Sequence, residues 1–453
     1  MPREDPAVLD ELRVIEAELN TRWPESKIDP SLARIAALAD ILGQPQRSYP
    51  VLHVAGTNGK TSVVRMIDAL MSTIGLRTGR FTSPHLQSVT ERISIDNAPI
   101  EAKRYIETYR EIEPYLSIVD KSAEVPLSKF EVLTAMAYAA FADAPIEVGI
   151  VEVGLGGRLD STNIADGQVA TITPVGIDHV EYLGSDLSGI AEEKAGIIKE
   201  GATVILAEQE PEAARTILEK VAEMDATVAR QGSEFGVLQR DVAIGGQRLL
   251  LQGLGGEYEE IFLPLHGAHQ AANAALALAT VEAFFGAGKS HRLDIDRVRE
   301  GFESVRVPGR LERLRSAPTV LTDAAHNPHG AAALAAAIES EFAFRKLVGV
   351  LGVLGDKDAT GILTALEPVL SSIVLTTNSS PRALPAHELA DRAEAIFGDE
   401  RVEVVGRLDD AVERAVALTE DEADEQWSGA GVLVTGSVVT AGEARALFGK
   451  DPA

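Results

Sequence analysis

Val54-Ala55-Gly56-Thr57-Asn58-Gly59-Lys60-Thr61 decides how this chain is read. The apolar run Val51–Ala55 predicts a buried strand and Ser62–Ile74 predicts a helix, so the stretch is a glycine-rich turn that ends at a helix N-terminus. Such a turn is an anion cradle. Its glycines let backbone amides face phosphate oxygens, Lys60 adds a positive charge, Thr61 offers a hydroxyl to magnesium, and the helix dipole favours negative charge. The general pattern Gly-x-x-x-x-Gly-Lys-Ser/Thr is broken at its first position, where this chain has Val54. The alternative is a plain glycine turn with a surface lysine, and the strand–turn–helix context argues against it.

Outward from this turn, strand-like and helix-like runs alternate. Strands are expected at Val148–Val153, Val169–Thr173 and Thr203–Ala207, and helices at Lys129–Ala142, Leu187–Lys199 and Ala268–Phe285. Glycine-rich short runs from Phe235 to Pro264 suggest a small antiparallel excursion. A second series starts near Arg306, with strands at Val320–Thr322, Leu347–Leu351, Ile373–Thr377, Val402–Val405 and Val432–Thr435. Helices are expected between them at Ala331–Ser340, Thr360–Leu370, Ala386–Ile396 and Leu408–Leu418, and the acidic run Thr419–Glu425 reads as a solvated loop. The fold class is therefore α/β: an N-terminal P-loop mononucleotide-binding domain with a mostly parallel sheet, plus a C-terminal Rossmann-like domain. The expected division is 1–306 and 307–453, with the boundary in Val305–Pro308.

Composition narrows the function classes. The 453 residues carry 42 Lys plus Arg against 69 Asp plus Glu, a formal charge of −27, which argues against nucleic acid or an anionic membrane as partner. No cysteine is present, so disulfides, zinc–thiolate sites, iron–sulfur clusters and cysteine nucleophiles are excluded. The first 19 residues are charged and helix-like, with no signal-peptide core, and no apolar run reaches the roughly 18 residues of a membrane span. A cytoplasmic protein is expected.

Two further stretches end strands where open α/β sheets bind ligands. Val151-Glu152-Val153-Gly154-Leu155-Gly156-Gly157-Arg158-Leu159-Asp160-Ser161-Thr162-Asn163 places Glu152 at a strand's carboxyl end, as a magnesium ligand or as a cap for nearby amides. Ile172-Thr173-Pro174-Val175-Gly176-Ile177-Asp178-His179 ends on a polar tip; alone, His179 reads as structural, oriented by Asp178. Glu192-Glu193-Lys194-Ala195-Gly196-Ile197-Ile198-Lys199 alone reads as a solvated charged face.

Taken in order, these motifs with Phe81-Thr82-Ser83-Pro84-His85-Leu86 and Asp323-Ala324-Ala325-His326-Asn327-Pro328 resemble the folylpolyglutamate synthase and dihydrofolate synthase family of the Mur-ligase superfamily, over residues 30 to 445. The resemblance implies an ATP-dependent amide ligase. It would join L-glutamate to dihydropteroate and to the γ-carboxyl of reduced folates through an acyl phosphate. It implies Thr57, Asn58, Gly59, Lys60, Thr61, Asn273, Arg310, Asp323 and His326 on the nucleotide, and Ser83, Glu152 and His179 as magnesium ligands. Lys60, Lys194, His179 and Arg310 would be catalytic, with Lys194 matching a lysine that the family carries as a carbamate. Thr82, Ser83, Pro84 and His85, with Lys129, Phe130 and Glu131 and with Leu159, Asp160 and Ser161, would hold substrate; Phe130 and Asp160 read equally well as core and cap. Ser380-Pro381-Arg382-Ala383 resembles a glutamate-tail or substrate-side loop. The expected cofactors are ATP and two Mg2+ ions, with a monovalent cation as a further candidate, and the expected state is a monomer. Two other readings are a Mur-type ligase of cell-wall precursors and a nucleotide-dependent switch without ligase chemistry.

Overall fold

All five residues of the strand Val51–Ala55 are buried, as a strand covered on both faces requires. Its side chains alternate between two cores: Leu52 and Val54 join one, Val51 the other. The computed structural model describes residues 5–22, 30–286, 288, 292–420 and 429–452. Val51–Ala55 is central in an eight-stranded sheet. On one side it pairs in parallel with Val148–Glu152, then Thr78–Phe81 follows, and on the other Gly167–Ile172, Thr203–Leu206 and Thr227–Arg230. Two short strands, Ile93–Ile95 and Ala98–Pro99, extend the Thr78–Phe81 edge antiparallel and were not expected from the sequence.

The helices Lys60–Ile74, Ala268–Phe284 and Ile295–Ser304 cover one face, with an antiparallel sheet of Gly236–Ala243, Gly246–Gln252 and Glu257–Leu263 beside them. Opposite lie Pro6–Thr21, Ala33–Ile41, Ala102–Ser122 and Lys129–Asp143. A six-stranded sheet follows, ordered Glu312–Ser316, Thr319–Thr322, Ala430–Thr435, Lys346–Leu351, Ser372–Leu375 and Val402–Val404. Only the first pairing is antiparallel. The same alternation holds here: Leu347 and Leu351 face one core, Val348 and Val350 the other.

The mixed α/β reading with mostly parallel sheets is what the structure has, and differences lie at element ends. The helix expected to run to Lys199 stops at Ala195, and its cap Gly196 lies so close to Arg158 that a Cβ there would sit 2.4 Å from the Arg158 Cβ. Thr360–Leu370 resolves into Ala359–Leu366 and a short 3-10 turn, Glu367–Val369. Of the acidic run, Thr419 and Glu420 finish the helix Leu408–Glu420, and 421–425 lie outside the described residues.

One buried ion pair ties the helix after the glycine turn to the sheet. Arg80 Nη1 donates to Asp68 Oδ2 at 2.7 Å, Thr78 Oγ1 to Asp68 Oδ1 at 2.6 Å, and Arg80 Nη2 to Ser94 Oγ at 2.7 Å. Both charged side chains are sealed from solvent, at 1% and 0% exposure. Removing one partner leaves the other charged and buried. Arg80→Met is therefore expected to lower the unfolding free energy by about 3–5 kcal/mol in urea titration, and a loss below about 1 kcal/mol would show that water reaches this pair.

Candidate active site

The turn after Val51–Ala55 needs its glycines. Gly56 has φ +141° and a Cβ there would lie 1.8 Å from Thr173 Oγ1; Gly59 has φ +91° and a Cβ there would lie 2.8 Å from Asn273 Oδ1. Both backbones occupy a region that L side chains rarely adopt. The loop is fixed against the next strand end: Thr57 N donates to Pro174 O at 3.0 Å, and Thr57 Oγ1 exchanges hydrogen bonds with Gly176 O and N at 2.9 Å each. Gly59 caps the helix Lys60–Ile74 with no side-chain bond to its first amides. Lys60 Nζ curls back to the carbonyls of Gly56 and Thr57, at 2.9 and 3.0 Å.

A second ammonium reaches the same carbonyl. Lys194 Nζ donates to Gly56 O at 2.9 Å and is 5% exposed. Glycines from two motifs bring it there. A Cβ on Gly157 would lie 2.6 Å from Glu193 O, and Arg158 N donates to that carbonyl at 2.8 Å, so the loop 154–163 and the helix Leu187–Ala195 touch backbone to backbone. Glu192 stays exposed while Lys194 points inward. Burial, assisted by the Lys60 charge, pushes the Lys194 ammonium down to about 7. The charged-face reading therefore does not describe Lys194.

Glu152, 1% exposed, ends its strand beside Lys60. Thr61 Oγ1 donates to Glu152 Oε1 at 2.8 Å and Ser83 N to Oε2 at 3.4 Å. Burial raises the Glu152 carboxyl, opposed by Lys60, these two donors and Arg310. Thr61 and Ser83 thus bring two hydroxyl-bearing residues to the Glu152 carboxylate, and oxygen donors are what small hard cations prefer.

The six-stranded sheet turns its carboxyl edge to the same place. Asp178 Oδ1 accepts from Lys357 Nζ at 2.8 Å and Oδ2 from Asn327 Nδ2 at 3.0 Å, while His326 Nε2 lies 3.8 Å from Oδ2. Asn58 of the glycine loop donates to Asn327 Oδ1 at 3.3 Å and lies 2.9 Å from His329 Nδ1. Burial raises the Asp178 carboxyl, but Lys357, His179 and His326 outweigh it and hold the group below the usual range. Burial and the Lys357 charge push both His179 and His326 down to about 4, so both rings are neutral at pH 7. Asp323 Oδ2 accepts from Leu311 N at 2.9 Å and Oδ1 from Ala325 N at 2.8 Å, which sets the turn that carries Arg310.

A glycine loop with one half-buried and one buried lysine, met by Asn327 and His326 from the second sheet, invites comparison with known proteins. The Mur ligase middle domain matches residues 54–281 and the Mur ligase glutamate ligase domain residues 309–438. The Mycobacterium tuberculosis dihydrofolate synthase/folylpolyglutamate synthase is 56% identical over 466 residues, covering 99% of this chain and 96% of that protein. The chain belongs to the dihydrofolate synthase/folylpolyglutamate synthase family. The Escherichia coli member is 33% identical over 80% of this chain and 81% of its own length. Among solved structures, the Mycobacterium tuberculosis folylpolyglutamate synthase complexed with ADP superposes with a TM-score of 0.95, at 57% identity over 98% of this chain and all of that one. The Escherichia coli structure in complex with DHPP and ADP gives 0.84, at 30% identity over 97% of each chain.

Within this family site, the remaining candidates fall into two sets. Asn273, buried, sits against Gly59, and Arg310 lies near enough to Glu152 and Asp323 to oppose the burial that raises both carboxyls. The loop Thr82–His85 is held from behind by Glu91, whose carboxylate accepts the amides of Leu86, Gln87 and Ser88 at 2.8, 3.1 and 3.0 Å. Arg92 Nε donates to His85 Nδ1 at 3.0 Å, and burial with Arg92 and Lys129 pushes His85 down to about 3. Phe130 packs against Phe81 with ring centres 5.8 Å apart and planes tilted by 37°, and lies over Gly154. Lys129 Nζ donates to Asn20 Oδ1 at 2.7 Å. Glu131 pairs with Arg34 at 3.0 Å and completes a capping box with Ser128, so its carboxylate is taken up by its own helix end. Asp160 caps the turn Ser161–Ile164 and accepts Leu155 N at 2.9 Å, with Leu159 half-buried and Ser161 buried beside it. Ser83 and Glu152 come together as expected, whereas His179 Nε2 faces the Lys357 ammonium at 3.5 Å. Arg382 pairs with Asp356 at 2.6 Å next to Lys357.

Lys357 and Glu91 were missed from sequence. Lys357 had a signal, since Gly355-Asp356-Lys357 follows the strand Lys346–Leu351 at the ligand edge; Glu91 had none. Gly59→Ala forces a Cβ into a left-handed backbone, a cost of roughly 1–2 kcal/mol, and is expected to raise the KM for ATP about tenfold in steady-state kinetics with the fold intact by circular dichroism. An unchanged KM would remove this loop from the nucleotide site.

Proposed function

We propose that this chain forms an amide between L-glutamate and a pterin carboxylate, that of dihydropteroate or the γ-carboxyl of a reduced folate, at the expense of ATP. The observation that carries the reading is the convergence of Lys60 and Lys194 on Gly56 O, beside Asp178 at the next strand end, whose carboxylate is held by Asn327 and Lys357 from the second sheet. A carboxylate oxygen attacks the γ-phosphorus, ADP departs, and the glutamate amine then displaces phosphate from the acyl carbon. Each partner is an anion brought to a chain of charge −27, so local cations must offset the repulsion.

Lys60, the amides of Thr57 to Thr61 and the helix dipole would hold the phosphates, with Asn273, Asp323, His326 and Arg310 on the rest of the nucleotide. Thr61, Ser83 and Glu152 suit magnesium by their chemistry, and His179 could join them only with the Lys357 ammonium displaced. Magnesium would neutralise phosphate charge during transfer. Lys194 fits a carbamate because carbon dioxide reacts with a neutral amine, and at about 7 roughly half of it is neutral at pH 7. Thr82 to His85, Lys129 to Glu131 and Leu159 to Ser161 would shape the substrate side. The reading also takes 1–306 and 307–453 as two domains of a cytoplasmic monomer that closes on its ligands, with a monovalent cation as a further candidate. No helix among the described residues is long and apolar enough to cross a membrane.

ADP release with ATP, magnesium and L-glutamate is expected with either dihydropteroate or a reduced folate as acceptor; release with neither would overturn the reading. Lys194→Ala is expected to lose at least about a hundredfold in kcat with partial rescue by acetate. A 13C-carbonate label on the wild-type lysine should increase as pH rises through 7, because the reactive amine is the deprotonated form. Wild-type rates in Lys194→Ala would leave Lys194 a structural support for Gly56.

A further inference from the structure

His53 lies in the middle of the strand that feeds the glycine loop, with no exposed surface. Its Nε2 is 2.9 Å from Thr162 Oγ1, and its Nδ1 is buried with no partner. Thr162 Oγ1 in turn bonds Asp160 Oδ1, which also accepts Thr162 N at 3.0 Å; Asp160 Oδ2 accepts Leu155 N at 2.9 Å. The direction of this chain follows from hydrogen-bond accounting. Both Asp160 oxygens face backbone amides, so the carboxylate is an acceptor and the Thr162 hydroxyl gives it its proton. The hydroxyl oxygen must then receive from His53, which fixes the tautomer with hydrogen on Nε2. The unpartnered Nδ1 is left as a bare acceptor, the less costly of the two orphan types. Burial, with the Lys199 charge, keeps the ring neutral, so the donor is fixed.

We infer that His53 is a positioning residue: through Thr162 it aims the Asp160 carboxylate and so sets how well the enzyme takes dihydropteroate. This rests on the reading of Asp160 as a dihydropteroate contact. The geometry has no other evident use for a histidine at this place. An apolar residue would suit a strand core better, since one ring nitrogen already has no partner. The relay also explains how Asp160 is held, because His53 stands three residues before Gly56 and ties the substrate turn to the strand that carries the phosphate loop. Tyr138 secures the same threonine from behind, its hydroxyl donating to Thr162 O at 2.6 Å.

The test compares His53→Leu, His53→Gln and Thr162→Val in the full-length enzyme. His53→Leu and Thr162→Val are expected to raise the KM for dihydropteroate about tenfold, as for an unmade buried hydrogen bond, while the KM for ATP and for a reduced folate stay near wild type. His53→Gln, whose amide can donate in place of Nε2, should recover most of the loss. Equal effects on all three substrates, or none, would overturn the inference by making His53 a packing residue only. If His53→Leu does not fold, Thr162→Val, which keeps the side-chain shape, decides the matter. Asp160→Ala separates the two readings. Should it leave the KM for dihydropteroate unchanged, the assignment of Asp160 fails; should it raise that KM while Thr162→Val does not, the relay alone fails.

Discussion

Two ammonium groups share one backbone carbonyl, and the rest of the site is arranged around that constraint. Gly56 O accepts from both Lys60 and Lys194, side chains that come from helices on different parts of the sheet. To place them so, the loop must turn through two left-handed glycines, and the helix Leu187–Ala195 must lie against the loop 154–163 closely enough that Gly157 and Gly196 tolerate no side chain. Spacing in the sequence and packing in space are here the same requirement. The glycines serve less to make the backbone flexible than to let two stretches of chain approach until Lys194 reaches a carbonyl 138 residues away.

The second sheet is positioned by polar contacts rather than by a continuous core. Asn58, Asp178 and Gln87 on the first part meet Asn327, Lys357 and Arg445 on the second, and Leu86 O lies against Gly442. Contacts of this kind are exchangeable: a hydrogen bond or ion pair can be replaced by one to a ligand that satisfies the same groups, whereas apolar burial has no such substitute. The carboxyl edges of both mostly parallel sheets are therefore joined by polar groups, with no apolar core running between them among the described residues.

Much of this was legible in the residues. The glycine loop, the acidic strand end at Glu152 and the two βα series follow from local pattern, because period, punctuation and strand-end position are short-range properties. Lys194 was legible only through resemblance; its own surroundings, Glu192-Glu193-Lys194, read as a solvated face, since which side of a helix is buried at a given turn depends on what packs there. Glu131 and Asp160 show the converse. Both are acidic and buried, and their oxygens satisfy Ser128, Arg34, Thr162 and Leu155; the Ser128–Glu131 box and the Asp160 cap are local patterns, whereas Arg34, 97 residues from Glu131, is a partner that only the fold supplies. The Asp68–Arg80 pair and Glu91 were silent for the same reason: each joins elements whose contact exists only once the sheet order is set.

Charge explains why an acidic chain can serve a polyanion. The net −27 is spread over exposed Asp and Glu, which solvent and salt screen beyond about 10 Å. Lys60 and Lys194 are withdrawn from that screening, and burial together with neighbouring cations depresses both. Lys60 carries the opposing pull of Glu152 and Asp178, and the added push of Lys357 and Arg310. A triphosphate entering among these groups would replace repulsion between cations by attraction to each of them, so its binding and the charging of the lysines reinforce one another. The same argument sets a limit on Glu152. Its carboxylate and that of Asp178 are the two acids that favour the charged form of Lys60, so removing Glu152 would leave Asp178 alone to oppose burial there, and the acid at this sheet edge is part of what keeps Lys60 charged.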